Sequence, residues 1–426
     1  MKEQSADVVV VGSGGAGLVA ACVAADAGLR VVVLDSAPVF GGTTAVSGGM
    51  LWIPGNPLMA DIGVGDTRDD ALRYLAAVTE GAVETWRLEQ YVDVAPALVR
   101  YLLDETPVRL FPIDRPDYHS EWPGARHGGR TLDNRPFELS SRPGLAERVR
   151  EGSHFPPLTY EERHRWRWPE LFDWELIAER MTSGVRTLGG ALAAALVAAC
   201  DDRGVTLVPD TRVRELVSGD GRIAGVLADG PDGPVSYRSD SGVVLASGGF
   251  EWSDGMKATF LRGPEVNPVS PPWNTGDGLV MGMAAGGALG NMAEAWWAPT
   301  FNVPGELYDD RPMARHIVDD LSLPGSILVN RHGQRFVNEA TNYNDLAKAF
   351  HTFDPARYER PNVPAWLVFD AAFKRSYTAA TVMPSDPAPT WFLRGETVDD
   401  LAAAAGVDVA GLSATVRAFN EHARRG

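Results

Sequence analysis

The sequence predicts an α/β fold: a nucleotide-binding domain with an inserted β-meander, followed by a smaller α+β domain. Three observations carry this. The chain opens with a strand, a glycine-rich turn, a small-residue helix and a second strand. A run of short strands with Gly-Asp turns fills the region 205–246. From about residue 290 the pattern changes to prolines, tryptophans and isolated short elements.

The opening βαβ unit is the strongest signal. Asp7–Val11 is a β-branched run, followed at once by Gly12-Ser13-Gly14-Gly15-Ala16-Gly17, a G-x-G-x-x-G match. Gly12 permits the tight turn, Gly14 lets backbone N–H groups approach a pyrophosphate, and Gly17 lets helix and strand pack closely. Ser13 and Ala16 complete the candidate phosphate turn. Val31–Leu34 then ends in Asp35 and Ser36, where a Rossmann-like unit places its ribose-binding carboxylate. The loop Gly41-Gly42-Thr43-Thr44-Ala45-Val46-Ser47-Gly48-Gly49 combines four glycines with three hydroxyls. It can lie flat against a planar, polar ligand, which a simple nicotinamide domain does not require. No second G-x-G-x-x-G occurs, so a separate nicotinamide domain is not expected.

These motifs resemble the flavoprotein family of fumarate reductases, succinate dehydrogenases and 3-ketosteroid dehydrogenases. The resemblance continues, in the family's order, through Leu245-Ala246-Ser247-Gly248-Gly249-Phe250 and Asn274-Thr275-Gly276-Asp277-Gly278. It ends with Ser326–Arg331 and Arg335-Phe336-Val337-Asn338-Glu339. It implies FAD as cofactor, an FAD-binding domain over 1–289 and a cap domain over 290–426 that the family places over the flavin. It further implies cofactor contacts at Val213, near the adenine, and at Ala246, Ser247, Gly248 and Asp277. Covalent attachment in the succinate dehydrogenase branch uses a histidine in the loop here spanning Gly41–Gly49. None occurs there, so FAD is expected to be held non-covalently.

The resemblance also points to Tyr343. Fumarate reductases carry, a few residues beyond Asn338-Glu339, an arginine that donates a proton. The steroid enzymes carry a tyrosine there, as this chain does. Arginine binds a carboxylate bidentately, whereas a phenol suits a neutral, apolar substrate. Tyr118, in Pro116-Asp117-Tyr118-His119, resembles the steroid enzymes' second pocket tyrosine; an exposed aromatic is the competing reading. Trp296 and Trp297 fit either an apolar pocket wall or packing between domains. The expected chemistry is hydride transfer between flavin N5 and the α,β-position of a small apolar ketone, steroid-like, with electrons passed to a quinone or other carrier. Two alternatives stand: a fumarate-reductase-like enzyme of unsaturated acids, and a flavin-binding but inactive chain. The last follows from the sequence ending at His422–Gly426, before the family's final flavin-binding segment.

Composition narrows the classes. The chain has 426 residues and a net charge of −17, which argues against nucleic acid or anionic membranes as partners. Cys22 and Cys200 form no C-x-x-C, which argues against thiol–disulfide flavoenzymes and a c-type haem; both read as buried helix packing. His119, His127, His154 and His164 lack metal-ligand spacing, and His316 reads as structural. The N-terminus lacks a signal-peptide pattern and no apolar run spans a bilayer, so cytoplasmic residence is expected.

The remaining elements follow from periodicity. Thr67–Val78 and Glu84–Glu105 read as amphipathic helices, the first with Thr67 and Asp70 as a capping pair. Pro107–Pro169 has no period and reads as a long irregular loop. A helix is expected at Gly189–Arg203 and strands at Val205–Val208, Thr211–Val217, Arg222–Ala228, Val235–Arg238 and Val243–Ala246. A helix follows at Leu279–Gly287. In the last region the pattern predicts a strand pair around Ile327 and Arg335, a strand at Trp366–Phe369, and helices at Thr397–Ala404 and Gly411–Arg424.

Overall fold

The computed structural model describes residues 2–152, 156–168, 171–262 and 268–425. His154 and Pro169 lie outside the described residues. The chain divides into two units: residues 1–167, 171–256 and 270–291 form one, and residues 168–170, 257–269 and 292–426 the other.

The first unit is built on a six-stranded sheet. Its strands are β1 (Lys2–Val11), β2 (Val31–Leu34), β8 (Thr206–Val208), β9 (Arg212–Gly219), β10 (Arg222–Gly230) and β11 (Gly233–Leu245), in the order β8-β2-β1-β11-β10-β9. The first four in that order run parallel; β10 and β9 are antiparallel. Here the structure corrects the sequence reading. The expected strands Val235–Arg238 and Val243–Ala246 are one strand, β11. Gly233–Arg238 pairs with β10, and Val235–Leu245 with β1 across one register shift. Ser239-Asp240-Ser241-Gly242 hides this continuity, since polar residues at a register shift read as a turn.

Helix α1 (Gly15–Asp26) follows β1, and α8 (Leu188–Asp202) packs against it. Gly189 through Cys200 of α8 are all buried, because alanines and leucines face neighbours on every side. Cys22 and Cys200 meet in this contact, with sulfurs 3.5 Å apart and both thiols free. Helices α3 (Arg68–Thr79) and α4 (Thr85–Glu105) lie where expected, and the Thr67 side chain caps Asp70 N–H. The expected loop 107–169 is not featureless. It contains β4 (Leu110–Pro112) and β5 (Thr131–Asn134), joined to β3 (Leu51–Trp52) in a small sheet, and α6 (Tyr160–Trp166). Elements this short carry too few residues to display a period.

The second unit centres on the pair β16 (Ser326–Val329) and β17 (Trp366–Phe369), antiparallel and in register from Ser326–Phe369 to Val329–Trp366. Arg335 does not begin a second strand but makes one bridge to Val329. Helices α11 (Tyr343–Phe350), α13 (Val398–Ala405) and α14 (Val409–Arg425) pack around this pair.

Candidate functional site

The carboxyl ends of β1, β2 and β11 lie at one edge of the sheet, with β2 on one side of β1 and β11 on the other. Such a switch point is where doubly wound sheets place a ligand crevice. Gly12 has φ +103°, and a Cβ there would lie 2.4 Å from the Ala246 carbonyl oxygen. A Cβ on Gly17 would lie 2.0 Å from the Gly12 carbonyl oxygen. Both glycines are therefore required by protein packing. Gly14 differs: at φ −68° its nearest neighbour would be Thr44 Oγ1, at 3.8 Å. It caps α1 with no side-chain hydrogen bond to the helix. The positive end of α1 thus has only the Thr44 hydroxyl beside it, which leaves room for a phosphate of a dinucleotide.

Asp35 is buried, and its carboxylate organises this turn. One oxygen accepts from Ser13 N–H at 2.8 Å and from the Ser13 hydroxyl; the other accepts from Ala37 N–H at 2.9 Å. Ser36 beside it is half-buried. Gly41 N–H donates to the Ser13 carbonyl and hydroxyl oxygens, both at 3.1 Å, so the second glycine loop is fastened to the first. Thr44 Oγ1 accepts from Gly15 N–H at 2.9 Å.

The rest of the loop splits into two roles. Gly42 and Thr43, at the start of α2 (Gly42–Val46), remain half-buried on the side of Gly14. Ser47, Gly48 and Gly49 also make close contacts within the protein. The Ser47 hydroxyl donates to the Thr44 carbonyl at 2.8 Å. A Cβ on Gly48 would meet the Tyr160 ring, and one on Gly49 the Gly189 backbone at 2.3 Å. Asn134 Nδ2 donates to the Gly49 carbonyl at 2.7 Å.

Ser247 and Gly248 follow β11, and Ala246 N–H continues the ladder to Val11. Val213 is buried in the sheet core beside Val226 and Ala228. Asp277, at the first turn of α10 (Asp277–Ala284), holds Arg212 bidentately at 2.6 and 2.8 Å. Burial raises its pKa, but hydrogen bonds and charge from Arg212 outweigh that and leave the carboxyl below its usual range.

Sequence reasoning missed the cluster that holds Tyr118. Arg130 is almost fully buried and binds Asp66 through two bonds of 2.8 and 2.7 Å and Asp117 through one of 2.8 Å. Trp52 Nε1 donates to the other Asp117 oxygen at 2.7 Å, and His119 N–H donates to the Tyr74 hydroxyl at 3.3 Å. Tyr118 lies between these two anchored residues and is 47% exposed. The ring is presented, while the backbone on both sides is fixed. These partners share no period or motif in the sequence.

In the second unit, Tyr343 is the first residue of α11. Asn342 caps that helix by accepting from Asp345 N–H at 3.1 Å. Upstream, the buried Glu339 accepts from Leu328 N–H at 2.8 Å and pairs with Arg335. The Arg335–Glu339 motif therefore ties the turn before Tyr343 to β16, and Tyr343 itself is half-buried. Trp297 is buried edge-on against His351, whereas Trp296 is 94% exposed. His316 is exposed on β15 (Arg315–His316), which pairs with β12 (Thr300–Phe301). Among the described residues, no cluster of His, Cys, Asp or Glu could hold a metal ion, and no helix is long and apolar enough to cross a membrane.

Comparison with known proteins agrees with this geometry. The FAD binding domain family matches residues 7–426. The chain is 38% identical to 4-oxocyclohexanecarboxylate 2-dehydrogenase of Sinomonas cyclohexanicum, over 99% of this chain and 74% of that protein. It is 33% identical to 3-oxosteroid 1-dehydrogenase of Mycobacterium tuberculosis, over 100% of this chain and 80% of that protein. The crystal structure of 3-ketosteroid delta1-dehydrogenase from Sterolibacterium denitrificans in complex with 1,4-androstadiene-3,17-dione superposes with a TM-score of 0.90. That match has 32% identity and covers 99% of this chain and 80% of that one. The chain belongs to the FAD-binding family of flavoprotein oxidoreductases that contains these dehydrogenases.

Proposed function

We propose that this protein is an FAD-dependent dehydrogenase that introduces a double bond between the α- and β-carbons of a cyclic, steroid-like ketone. The observation that carries the reading is the near-complete match to dehydrogenases of oxocyclohexanecarboxylate and oxosteroid rings, joined to an open phosphate turn at Gly14. Non-covalent FAD is held by residues within 1–289: the turn 12–17, Asp35 through its hold on Ser13, Thr43 and Thr44, and the segment 246–248. Residues 290–426 supply the tyrosine.

Bound FAD supplies a two-electron acceptor at N5. The Tyr343 oxygen, acting as phenolate, takes the proton that leaves the carbon next to the ketone as a hydride leaves the neighbouring carbon. A carbonyl acidifies that C–H bond, and a phenolic oxygen is a suitable partner for a proton of this kind. Tyr118, held between Asp117 and His119, serves as the second pocket hydroxyl. A quinone or another carrier then accepts the electrons. Tyr343 in place of arginine weighs against carboxylate-binding fumarate chemistry.

The test is acid extraction of purified protein followed by turnover assays with a 3-ketosteroid and an artificial acceptor. Free FAD in the supernatant and a dehydrogenated product support the reading. Nicotinamide without flavin removes the cofactor, flavin in the pellet removes non-covalent binding, and turnover of fumarate alone removes the substrate class.

A further inference from the structure

We infer that Asn274 is a positioning residue for the cofactor, acting through the hydroxyl of Thr43; this rests on the FAD reading above. Asn274 Nδ2 lies 2.6 Å from Glu251 Oε1 and 2.9 Å from Thr43 Oγ1. An ionised carboxylate only accepts hydrogen bonds, so the Asn274 atom facing Glu251 must be the amide nitrogen. Its orientation is thereby settled without appeal to hydrogen positions.

The same nitrogen spends its second hydrogen on Thr43. The Thr43 hydroxyl oxygen is therefore an acceptor in that contact, and its own hydrogen must be donated elsewhere. Its neighbour Gly42 lies beside the phosphate turn, where a Cβ would be 3.6 Å from Gly14 Cα. Thr44 repeats the arrangement, since its Oγ1 accepts from Gly15 N–H. Two adjacent hydroxyls thus each accept a protein N–H and keep a hydrogen to donate, a pattern that suits the acceptor atoms of a phosphate or of an isoalloxazine edge.

Glu251 is the anchor of this chain of bonds. Its Oε1 also accepts from the Ser270 hydroxyl at 2.5 Å, and Ser270 contacts Trp252 Nε1 at 3.2 Å. Gly248 completes the fit: at φ +78° a Cβ there would lie 2.6 Å from Asn274 Oδ1. Glycine at 248 lets Asn274 reach across to Thr43. The segment after β11 and the loop after β2 are thereby locked into one surface.

The experiment is FAD titration of deflavinated full-length protein, read by flavin fluorescence, with apo-protein melting as a control. Thr43→Val is expected to weaken FAD about tenfold, the worth of one hydrogen bond to a charged or strongly polar group. Thr43→Ser should restore wild-type affinity. Asn274→Ala should weaken FAD comparably, and the double variant should be no weaker than Thr43→Val alone, because both remove one shared effect. Asn274→Asp keeps the shape but draws the Thr43 hydrogen to itself, so it should weaken FAD at least as much as Asn274→Ala. Independent, multiplying losses in the double variant overturn the inference, as does wild-type affinity in either Asn274 variant. Wild-type protein that takes up no FAD overturns the cofactor reading and this inference with it.

Discussion

Ser13 and Asp35 are joined twice, through the Ser13 N–H at 2.8 Å and through its hydroxyl, although they lie on different loops of the opening βαβ unit. The carboxylate expected to face a ribose is thus first a structural element of the phosphate turn. Its other oxygen fixes Ala37. Whatever the turn does for a ligand depends on this bond pair.

Asp35→Ala should therefore act on the protein before it acts on the ligand. It leaves the buried N–H groups of Ser13 and Ala37 unpaired, a loss of about 1–3 kcal/mol in stability. Urea denaturation of FAD-free protein measures it. Reduced FAD affinity with unchanged apo-protein stability would assign the carboxylate to the ligand alone.

Gly14 and Gly17 should respond in opposite ways to alanine. Gly14→Ala meets nothing closer than Thr44 Oγ1, at 3.8 Å, and at a permitted φ, so the apo-protein should melt as wild type while FAD retention falls by tenfold or more. Gly17→Ala drives a methyl to 2.0 Å from the Gly12 carbonyl and should destabilise the apo-protein itself. Melting curves and flavin content of both variants decide the matter; equal destabilisation would remove the open phosphate seat at Gly14.

Tyr343→Phe should lower turnover by about 10²–10⁴-fold, the usual contribution of one acid–base group. Flavin content should stay constant, because Tyr343 belongs to the unit outside the dinucleotide turn. Steady-state rates with a 3-ketosteroid test this, and near-equal rates would exclude Tyr343 from proton transfer.

Asp133 should give the protein a pH-dependent stability. Its side chain is fully buried, and burial lifts its pKa from 3.8 to about 6, against the lowering effect of backbone N–H groups of Asn134 and residues 160–161. The folded state then holds the proton to higher pH than the unfolded chain. This contribution is complete below about pH 4 and is lost as pH rises through about 6, on the order of 3 kcal/mol. Asp133→Asn should flatten that part of the profile. Identical profiles for both proteins between pH 4 and 7 would contradict it.

The opening unit was legible because its signal is local. Strand, Gly12, Gly14, Gly17 and Asp35 lie within one short stretch, and each answers a constraint on backbone approach. Helices α3, α4, α13 and α14 were legible by period, and α3 also by its cap Thr67. The Arg130 cluster was not, since its partners at 52, 66, 74 and 117 converge only in the folded chain. Nor was the packing around Gly48 and Gly49. Sequence alone offers a ligand as the reason for glycine, whereas the structure places Tyr160 and Gly189 against them. The length of β11 was hidden by its polar middle, which the ladder to β1 carries through a register shift between Ala6 and Val8.

Dehydrogenation of a cyclic ketone by bound FAD reduces the flavin and so bleaches its absorbance. Its most direct test is anaerobic mixing of the FAD-loaded protein with a 3-ketosteroid, and separately with 4-oxocyclohexanecarboxylate, while flavin absorbance is followed. The account predicts bleaching by at least one of the two and recovery of a product carrying a new carbon–carbon double bond beside the carbonyl. Oxidised flavin that persists with both ketones, together with reoxidation of reduced flavin by fumarate, would contradict it.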